Sequence, residues 1–136
     1  MLQCIKLGFH FNFFDVSNFH FELSKVFKYK NEHEMLQLGE LFVPANDRKH
    51  FCKPTDVVIS KENNDIYVAD GYCNSRIVQL NANGTFIKEF RMKKKEKQLW
   101  VPHSLTIIYS LRLICVADRQ NGRSVSLLQS FVFFFF

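Results

Sequence analysis

Three side chains in this sequence are of types that take part in catalysis, metal binding or substrate binding. His103 follows Pro102, and a neutral imidazole is a common zinc ligand, although a lone His is more often a partly buried side chain bonded to a carbonyl. Tyr72 could serve as a general base, or it could be a buried aromatic beside a disulfide. The planar guanidinium of Arg119 could bind both oxygens of a carboxylate, or it could pair with a neighbouring Asp.

Cysteine and asparagine add two further candidates. The four cysteines form no C-x-x-C pair, and their even number suits an oxidising compartment; they are Cys4, Cys52, Cys73 and Cys115. Asn83-Gly84-Thr85 is an N-glycosylation sequon. The same residues favour a hairpin turn, because Asn and Gly tolerate positive φ.

These residues lie in a stretch of sequence that repeats. Residues 53–59 and 65–70 resemble residues 101–107 and 113–118, with an offset of 48 positions. A repeat of this length that is built of short strands is typical of a β-propeller blade. The sequence therefore predicts an all-β fold.

The first repeat contains the strands of one whole blade. Apolar and β-branched residues at 56–60, 65–69, 76–80 and 85–90 are separated by polar turns, which predicts four strands. The second repeat begins at Val101 and departs from the pattern after Arg123, so we expect only its first three strands.

Composition and repetition together divide the chain into five expected segments. Most of the 16 Phe residues lie near the two ends, where the repeat is absent. We expect an unplaced N-terminal segment at 1–24 and the end of a preceding blade with its connection at 25–49. A blade at 50–100, an incomplete blade at 101–123 and a divergent Phe-rich tail at 124–136 follow.

Charge and hydrophobicity exclude several function classes. The formal net charge of +5 is concentrated at residues 91–97, but no aromatic side chains alternate with this run, so we expect a solvated loop and no nucleic-acid partner. Polar residues interrupt the apolar N-terminus, so no signal peptide is evident. The Phe-rich C-terminus is shorter than the roughly 20 apolar residues that span a bilayer, so we expect no membrane span.

Four strings of the repeats resemble the lyase domain of peptidylglycine α-amidating monooxygenase, a domain of NHL repeats. The strings are HFCKPTDV (50–57), VADGYCNSRIV (68–78), VPHSL (101–105) and CVADRQNGR (115–123). The resemblance implies a six-bladed propeller, of which about two blades are present here. It also implies a peptidylamidoglycolate lyase of the secretory pathway or extracellular space. That enzyme cleaves peptidyl-α-hydroxyglycine to an amidated peptide and glyoxylate, and its partner is a peptidylglycine hydroxylating monooxygenase domain.

The resemblance also assigns roles to single residues. It makes His103 a zinc ligand in the central channel, Tyr72 the group that acts on the substrate hydroxyl, and Arg119 an active-site Arg. It pairs Cys52 with Cys73 in a disulfide. Calcium is a further cofactor that the resemblance allows for the full domain.

Two departures from that pattern limit what the chain is expected to do alone. Two further zinc ligands of the lyase domain lie in Pro-His strings of other blades, and the remaining histidines here lack the preceding Pro; they are His10, His20, His33 and His50. We therefore expect an incomplete zinc site and an inactive fragment. The usual partner position of Cys115 is Ser126, so we expect Cys115 to be an unpaired thiol.

A second interpretation comes from a different function class. NHL propellers also serve as non-catalytic binding modules, and the basic run at 91–97 would then matter. The joint presence of His103, Tyr72 and the Cys52 and Cys73 pair favours the lyase, because a binding module needs none of them.

Overall fold

The computed structural model describes residues 19–22, 24–30, 33–92 and 98–128. Within these ranges the chain forms ten antiparallel strands and no α-helix. The strands are β1 (Phe19–Glu22), β2 (Lys25–Lys30), β3 (His33–Gly39), β4 (Asp56–Ile59), β5 (Ile66–Asp70), β6 (Arg76–Leu80), β7 (Phe86–Phe90), β8 (Pro102–Ile108), β9 (Leu113–Asp118) and β10 (Arg123–Leu128). They form three sheets, in the orders β1-β2-β3, β4-β5-β6-β7 and β8-β9-β10. The expected all-β fold is confirmed, with antiparallel sheets of the kind that form the blades of a propeller.

The middle sheet is the complete blade that the first repeat predicts. Its four strands begin and end within one residue of the predicted positions, and each pairs with the next in sequence. The turn between β6 and β7 contains Gly84 at φ +83°, where a residue with a Cβ would be strained. Asn81 supports this turn, since its side-chain oxygen accepts the backbone N–H groups of Asn83 and Thr85.

Both faces of the middle sheet are buried, which is how successive blades of a propeller stack. Side chains alternate along β5, so that Ile66 and Val68 pack toward the first sheet while Tyr67 and Ala69 pack toward the third. Every residue of β5 and β6 is buried as a result. At about 25 cal/mol per Å² of apolar surface, this two-sided burial is the main stabilising contribution of the blade.

The first sheet corrects the expected connection between blades. The segment expected to connect blades contains β3, and β2 is the middle strand of its sheet rather than the last. The alternation that marks β3 is short, with Leu38 buried and Gln37 exposed, and polar residues flank it. A period of two over three residues is too weak a signal to identify a strand.

The third sheet continues into the segment that was expected to be a divergent tail. β10 extends to Leu128 and pairs with β9 along its whole length. In β10, Val125 and Leu127 pack toward the middle sheet, and Ser124 and Ser126 between them are exposed. This alternation is the ordinary pattern of a half-buried strand, so the blade continues past the point where the resemblance ends.

Several expectations concern parts of the chain outside the described residues. These are the N-terminal segment up to residue 18, the basic residues 93–97 and the Phe-rich end from residue 129. Within the described part, no helix is long and apolar enough to cross a membrane.

Candidate active site

Tyr72 and Arg119 lie in equivalent turns of successive sheets. Tyr72 is in the turn between β5 and β6, and Arg119 begins the 3-10 turn Arg119–Asn121 between β9 and β10. Because β4 and β8 pack side by side, the two turns lie at the same end of their sheets. Two positions that are 47 residues apart in sequence are thereby brought together.

A buried carboxylate anchors the turn that carries Tyr72. Asp70 is fully buried, and its Oδ1 accepts the backbone N–H of Cys52 at 2.7 Å. Its Oδ2 accepts hydrogen bonds from Asn74 Nδ2 at 2.6 Å and Arg76 Nε at 2.9 Å. A carboxylate with three donors and an ion-pair partner is satisfied in the interior, so both ends of the turn are fixed.

The three candidate side chains converge on one place. Arg119 Nη1 donates a hydrogen bond to the phenol oxygen of Tyr72 at 3.3 Å. The ring of His103 lies edge-on to the ring of Tyr72, with 6.2 Å between centroids. Tyr72 is 51% exposed, so it is not the buried aromatic of the alternative interpretation.

Arg119 is not the ion-pair partner of the nearby carboxylates. The ion-pair partners of Asp70 and Asp118 are instead Arg76 and Arg123. Arg119 is exposed, and the guanidinium has donors beyond the one that it gives to Tyr72. An exposed guanidinium beside a phenol is a suitable arrangement for an anionic ligand.

His103 occupies an irregular point at the start of its strand. The pairing of β8 with β9 shifts register between Pro102 and Ser104, so His103 lies in a β-bulge. Bulges re-aim side chains and are common beside active sites. Val101, two residues earlier, has φ +56°, a strained conformation for a β-branched residue, and its carbonyl accepts the N–H of Arg119 at 3.1 Å.

The cysteines are placed partly as expected. Cys52 and Cys73 form a disulfide with 5.5 Å between their Cα atoms, and it ties the residues before β4 to the turn that carries Tyr72. Cys115 is also disulfide-bonded, so the expectation of an unpaired thiol is wrong.

Asn83 is exposed at the tip of the hairpin between β6 and β7. The register of the sheet places this hairpin at the opposite end of the blade from Tyr72. A glycan on Asn83 would therefore leave the candidate site open.

The connection before β4 contains a cluster of titratable side chains around His50. His50 Nδ1 lies 2.8 Å from Asp47 Oδ2, and its Nε2 lies 3.5 Å from Glu40. The hydrogen bond to Asp47 raises the pKa of His50 above 6.5 and lowers the pKa of Asp47 to about 2. The backbone carbonyls of Asp47 and His50 accept hydrogen bonds from Arg76, so this cluster reinforces the buried ion pair.

Metal binding by the described residues alone is not supported. No group of three or more His, Cys, Asp or Glu side chains in the described ranges is arranged to hold a metal ion. His103 is the one candidate ligand at the converged site. A cavity of about 650 Å³ near Arg48, Phe86 and Glu89 contains none of the three candidate residues.

Two features of the site were missed from the sequence. The bulge at His103 has no sequence signal beyond the preceding proline. The anchoring role of Asp70 and Asp118 does have a sequence signal. The two residues recur at the repeat offset of 48, and each is followed within a few residues by an Asn and an Arg.

The amino-acid sequence matches one family model and several known proteins. The NHL repeat model matches residues 51–80. The chain is 47% identical over 108 residues to peptidyl-glycine alpha-amidating monooxygenase B of Xenopus laevis, which covers 74% of this chain and 12% of that protein. It is 46% identical over 97 residues to "Probable peptidyl-alpha-hydroxyglycine alpha-amidating lyase pgal-1" of Caenorhabditis elegans, covering 69% and 27%. For peptidyl-alpha-hydroxyglycine alpha-amidating lyase 2 of Drosophila melanogaster the identity is 37% over 105 residues, covering 76% and 26%.

The chain spans from 12% to 27% of the length of these relatives. The family resemblance predicted from the four strings of the repeats is confirmed. Residues 51–80 are an NHL repeat, and about 70% of the chain is homologous to peptidylglycine α-amidating monooxygenases and peptidyl-α-hydroxyglycine α-amidating lyases.

Proposed function

We propose that this chain is a segment of a peptidyl-α-hydroxyglycine α-amidating lyase and contributes Tyr72, Arg119 and His103 to its reaction centre. The observation that carries the proposal is the hydrogen bond from Arg119 to Tyr72, formed between two blades with the His103 ring beside it. The names of the homologous proteins supply the reaction class. Alone, the segment is expected to be inactive.

The reaction needs one base and no oxidant. The phenol oxygen of Tyr72, as phenolate, takes the proton of the substrate α-hydroxyl. The C–O bond then becomes the aldehyde of glyoxylate while the C–N bond breaks, and the electron pair remains on nitrogen. That nitrogen receives a proton and becomes the terminal amide. A single tyrosine can take the first proton and return it, since the reaction consumes no water.

Arg119 is suited to two tasks at once. One N–H of the guanidinium is given to the phenol oxygen of Tyr72. The remaining donors can bind the carboxylate of the hydroxyglycine in a forked, charge-assisted pair. Binding the carboxylate here would bring the neighbouring hydroxyl to the phenol oxygen.

We propose that His103 is one ligand of a zinc ion whose other ligands come from outside this segment. A catalytic zinc site uses three protein ligands, and the described residues supply one donor at this place. Bound zinc would act as a Lewis acid on a substrate oxygen. The 136-residue chain should therefore bind zinc weakly, and tight stoichiometric zinc in the purified chain would contradict this.

The proposed setting is the secretory pathway. The disulfide-bonded state of Cys52, Cys73 and Cys115 supports an oxidising compartment. The exposed sequon at Asn83 supports glycosylation. A hydroxylating monooxygenase domain is the proposed partner, because the substrate must first be hydroxylated at its C-terminal glycine.

A chimeric enzyme tests the proposal most directly. Residues 50–128 of this chain would replace the homologous segment of the C. elegans protein, and glyoxylate release from a peptidyl-α-hydroxyglycine would be measured. Turnover by the chimera, and its loss in the Tyr72→Phe variant, are the expected results. A folded chimera without turnover would contradict the lyase and favour a non-catalytic NHL module.

A further inference from the structure

We infer that Thr55 is a positioning residue for the candidate site, because its hydroxyl sets the spacing between the turn that carries Tyr72 and the strand that carries His103. The inference rests on the proposed function, since it concerns the same side chains. It adds a residue that acts through its neighbours and is not one of the three candidate side chains Tyr72, Arg119 and His103.

One hydroxyl contacts both backbone segments. Thr55 Oγ1 donates to the carbonyl of Pro102 at 2.7 Å, and the carbonyl of Ala69 lies 3.1 Å away as a second acceptor. The backbone N–H of Thr55 also donates to Ala69 at 2.8 Å. Pro102 immediately precedes His103, and Ala69 is the last but one residue of β5, which leads into the turn of Tyr72.

Gly71 also lies close to the carbonyl of Pro102. A Cβ at this position would lie 2.2 Å from the oxygen of Pro102 and 3.0 Å from Thr55 Oγ1. The turn can approach the next blade this closely only because residue 71 has no side chain. Thr55, Gly71 and Pro102 therefore form a close-packed joint, and Tyr72 and His103 are the next residues along the chain on its two sides.

The strand ladder pairs the neighbours of His103 but not His103 itself. The bulge leaves His103 without a paired residue on β9, so its position depends on what holds the residues on either side. On one side Pro102 is held by Thr55. On the other side Leu105 donates its backbone N–H to Asp56 Oδ2 at 2.7 Å. Two consecutive residues of the middle blade thus bracket the bulge.

The sequence repeat explains why Thr55 lies beside the strand of His103. Thr55 and His103 occupy the same position in successive repeats, 48 residues apart. At that position the third blade presents its candidate ligand, and the middle blade presents a hydroxyl that holds the ligand's neighbour.

Nuclear Overhauser contacts between the Tyr72 and His103 rings test the inference in the isotope-labelled 136-residue chain. Thr55→Val keeps the shape and removes the donor, so the contacts should be lost and both ring resonances should shift. Thr55→Ser keeps the donor and should retain the contacts. Contacts that survive in folded Thr55→Val, or that disappear in folded Thr55→Ser, would overturn the inference.

A matched variant separates positioning from general stability. Ile66→Val removes one buried methylene from the same blade and should lower the melting temperature while leaving the ring contacts intact. If it also abolishes the contacts, the role of Thr55 is merely structural. If Thr55→Val does not fold, the exchange rate of the Thr55 hydroxyl proton is measured in the wild-type chain instead. A hydroxyl proton that exchanges rapidly with water would contradict the hydrogen bond to Pro102.

This result is independent of the lyase assay. Ring contacts are read from the folded chain without substrate, so a chimera that lacks turnover leaves the inference standing. Conversely, an active chimera in which Thr55→Val has no effect on the contacts would support the function and reject the positioning role.

Discussion

Asp70 and Asp118 are fully buried at the same place in successive sheets and make the same three hydrogen bonds. Where Asp70 binds the N–H of Cys52, Asp118 binds the N–H of Trp100 at 2.6 Å. An Asn and an Arg from the following turn complete each set, Asn121 at 2.7 Å and Arg123 at 2.8 Å in the third sheet. The repeat therefore carries a buried ion pair, and each pair anchors a turn of the candidate site.

Removing one partner of the more buried pair should destabilise the chain strongly. Asp70→Ala removes the buried carboxylate beside Arg76, which is 1% exposed and keeps only the partly exposed Glu89 as an ion-pair partner, and this should lower the free energy of unfolding by about 3–5 kcal/mol. The effect of Asp118→Ala should be smaller, because Arg123 is 34% exposed and water can solvate it.

Urea titration of both variants at neutral pH measures this difference. Glu62→Ala in the exposed turn after β4 is the control, with an expected change within about 0.5 kcal/mol. Equal losses for the two Asp variants would show that exposure of the Arg does not set the cost.

Substitution of Tyr72 should separate activity from stability. Tyr72 is exposed, so Tyr72→Phe should change the stability by less than about 0.5 kcal/mol. In the chimeric lyase the same change should reduce kcat by about 100-fold or more, because it removes the general base. Melting curves and glyoxylate release measure the two effects, and a Phe variant with retained kcat would exclude the proposed role.

Arg119 should act through the substrate carboxylate. Arg119→Ala should raise KM for a free-acid hydroxyglycine peptide and have a much smaller effect on KM for its methyl ester. Loss of a hydrogen bond to a charged group costs about 1.5–3 kcal/mol, which corresponds to at least a tenfold change. Equal increases of KM for the acid and the ester would show that Arg119 interacts with Tyr72 and not with the substrate carboxylate.

The cluster of His50 and Asp47 should make stability depend on pH. The pKa of His50 is raised above 6.5, so the stabilisation by its protonated form is present below pH 6.5 and is lost as pH rises through the raised value. The pKa of Asp47 is lowered from 3.8 to about 2, so its contribution is lost as pH falls through about 2. The two contributions are both present between about pH 4 and pH 6.5.

Melting temperatures between pH 5 and pH 8 test this prediction. The wild-type chain should melt at a lower temperature as pH rises, and Asp47→Asn should flatten the dependence. Glu62→Gln, which removes a carboxylate from a different, exposed turn, is a control that should leave the slope between pH 5 and pH 8 unchanged. A slope that persists in Asp47→Asn would assign it to another group.

The disulfide should stabilise the site region measurably. Replacing Cys52 and Cys73 together by Ser should cost roughly 3 kcal/mol, the value that loop-closure entropy gives for a loop of this size. Peptide mapping of the non-reduced chain should recover the two cysteines in one linked fragment, and their recovery as separate thiols would contradict the pairing.

Expression through the secretory pathway should attach a glycan at Asn83. A mass shift that glycosidase removes is expected for the wild-type chain and for Thr85→Ser, which keeps the sequon. Asn83→Gln and Thr85→Ala should both abolish it. A shift that survives both changes would place the glycan elsewhere.

Much of the middle blade could be predicted because its signals are local. The alternation of apolar and polar residues at 56–90 and the turn at Asn83 and Gly84 identify strands and hairpins from neighbouring residues alone. The repeat offset of 48 residues independently predicts where the strands of the third sheet begin. β3 was missed because its alternation is short, and β10 extends past residue 123, where the resemblance ends.

The sequence by itself determined which residue types the site would use. His103, Tyr72 and Arg119 are identified by strings of a few residues, and the pairing of Cys52 with Cys73 follows from the same resemblance. Whether the side chains meet could not be known from those strings, since each lies on a different turn or strand.

Only the tertiary structure decided how these residues are held. Burial of Asp70, the bulge at His103 and the hydroxyl of Thr55 against the carbonyl of Pro102 arise when two sheets stack, and the last contact joins residues 47 positions apart. Local sequence specifies the backbone conformation of each strand. The distance between two strands in different sheets depends on all the side chains packed between them, and no short string encodes it.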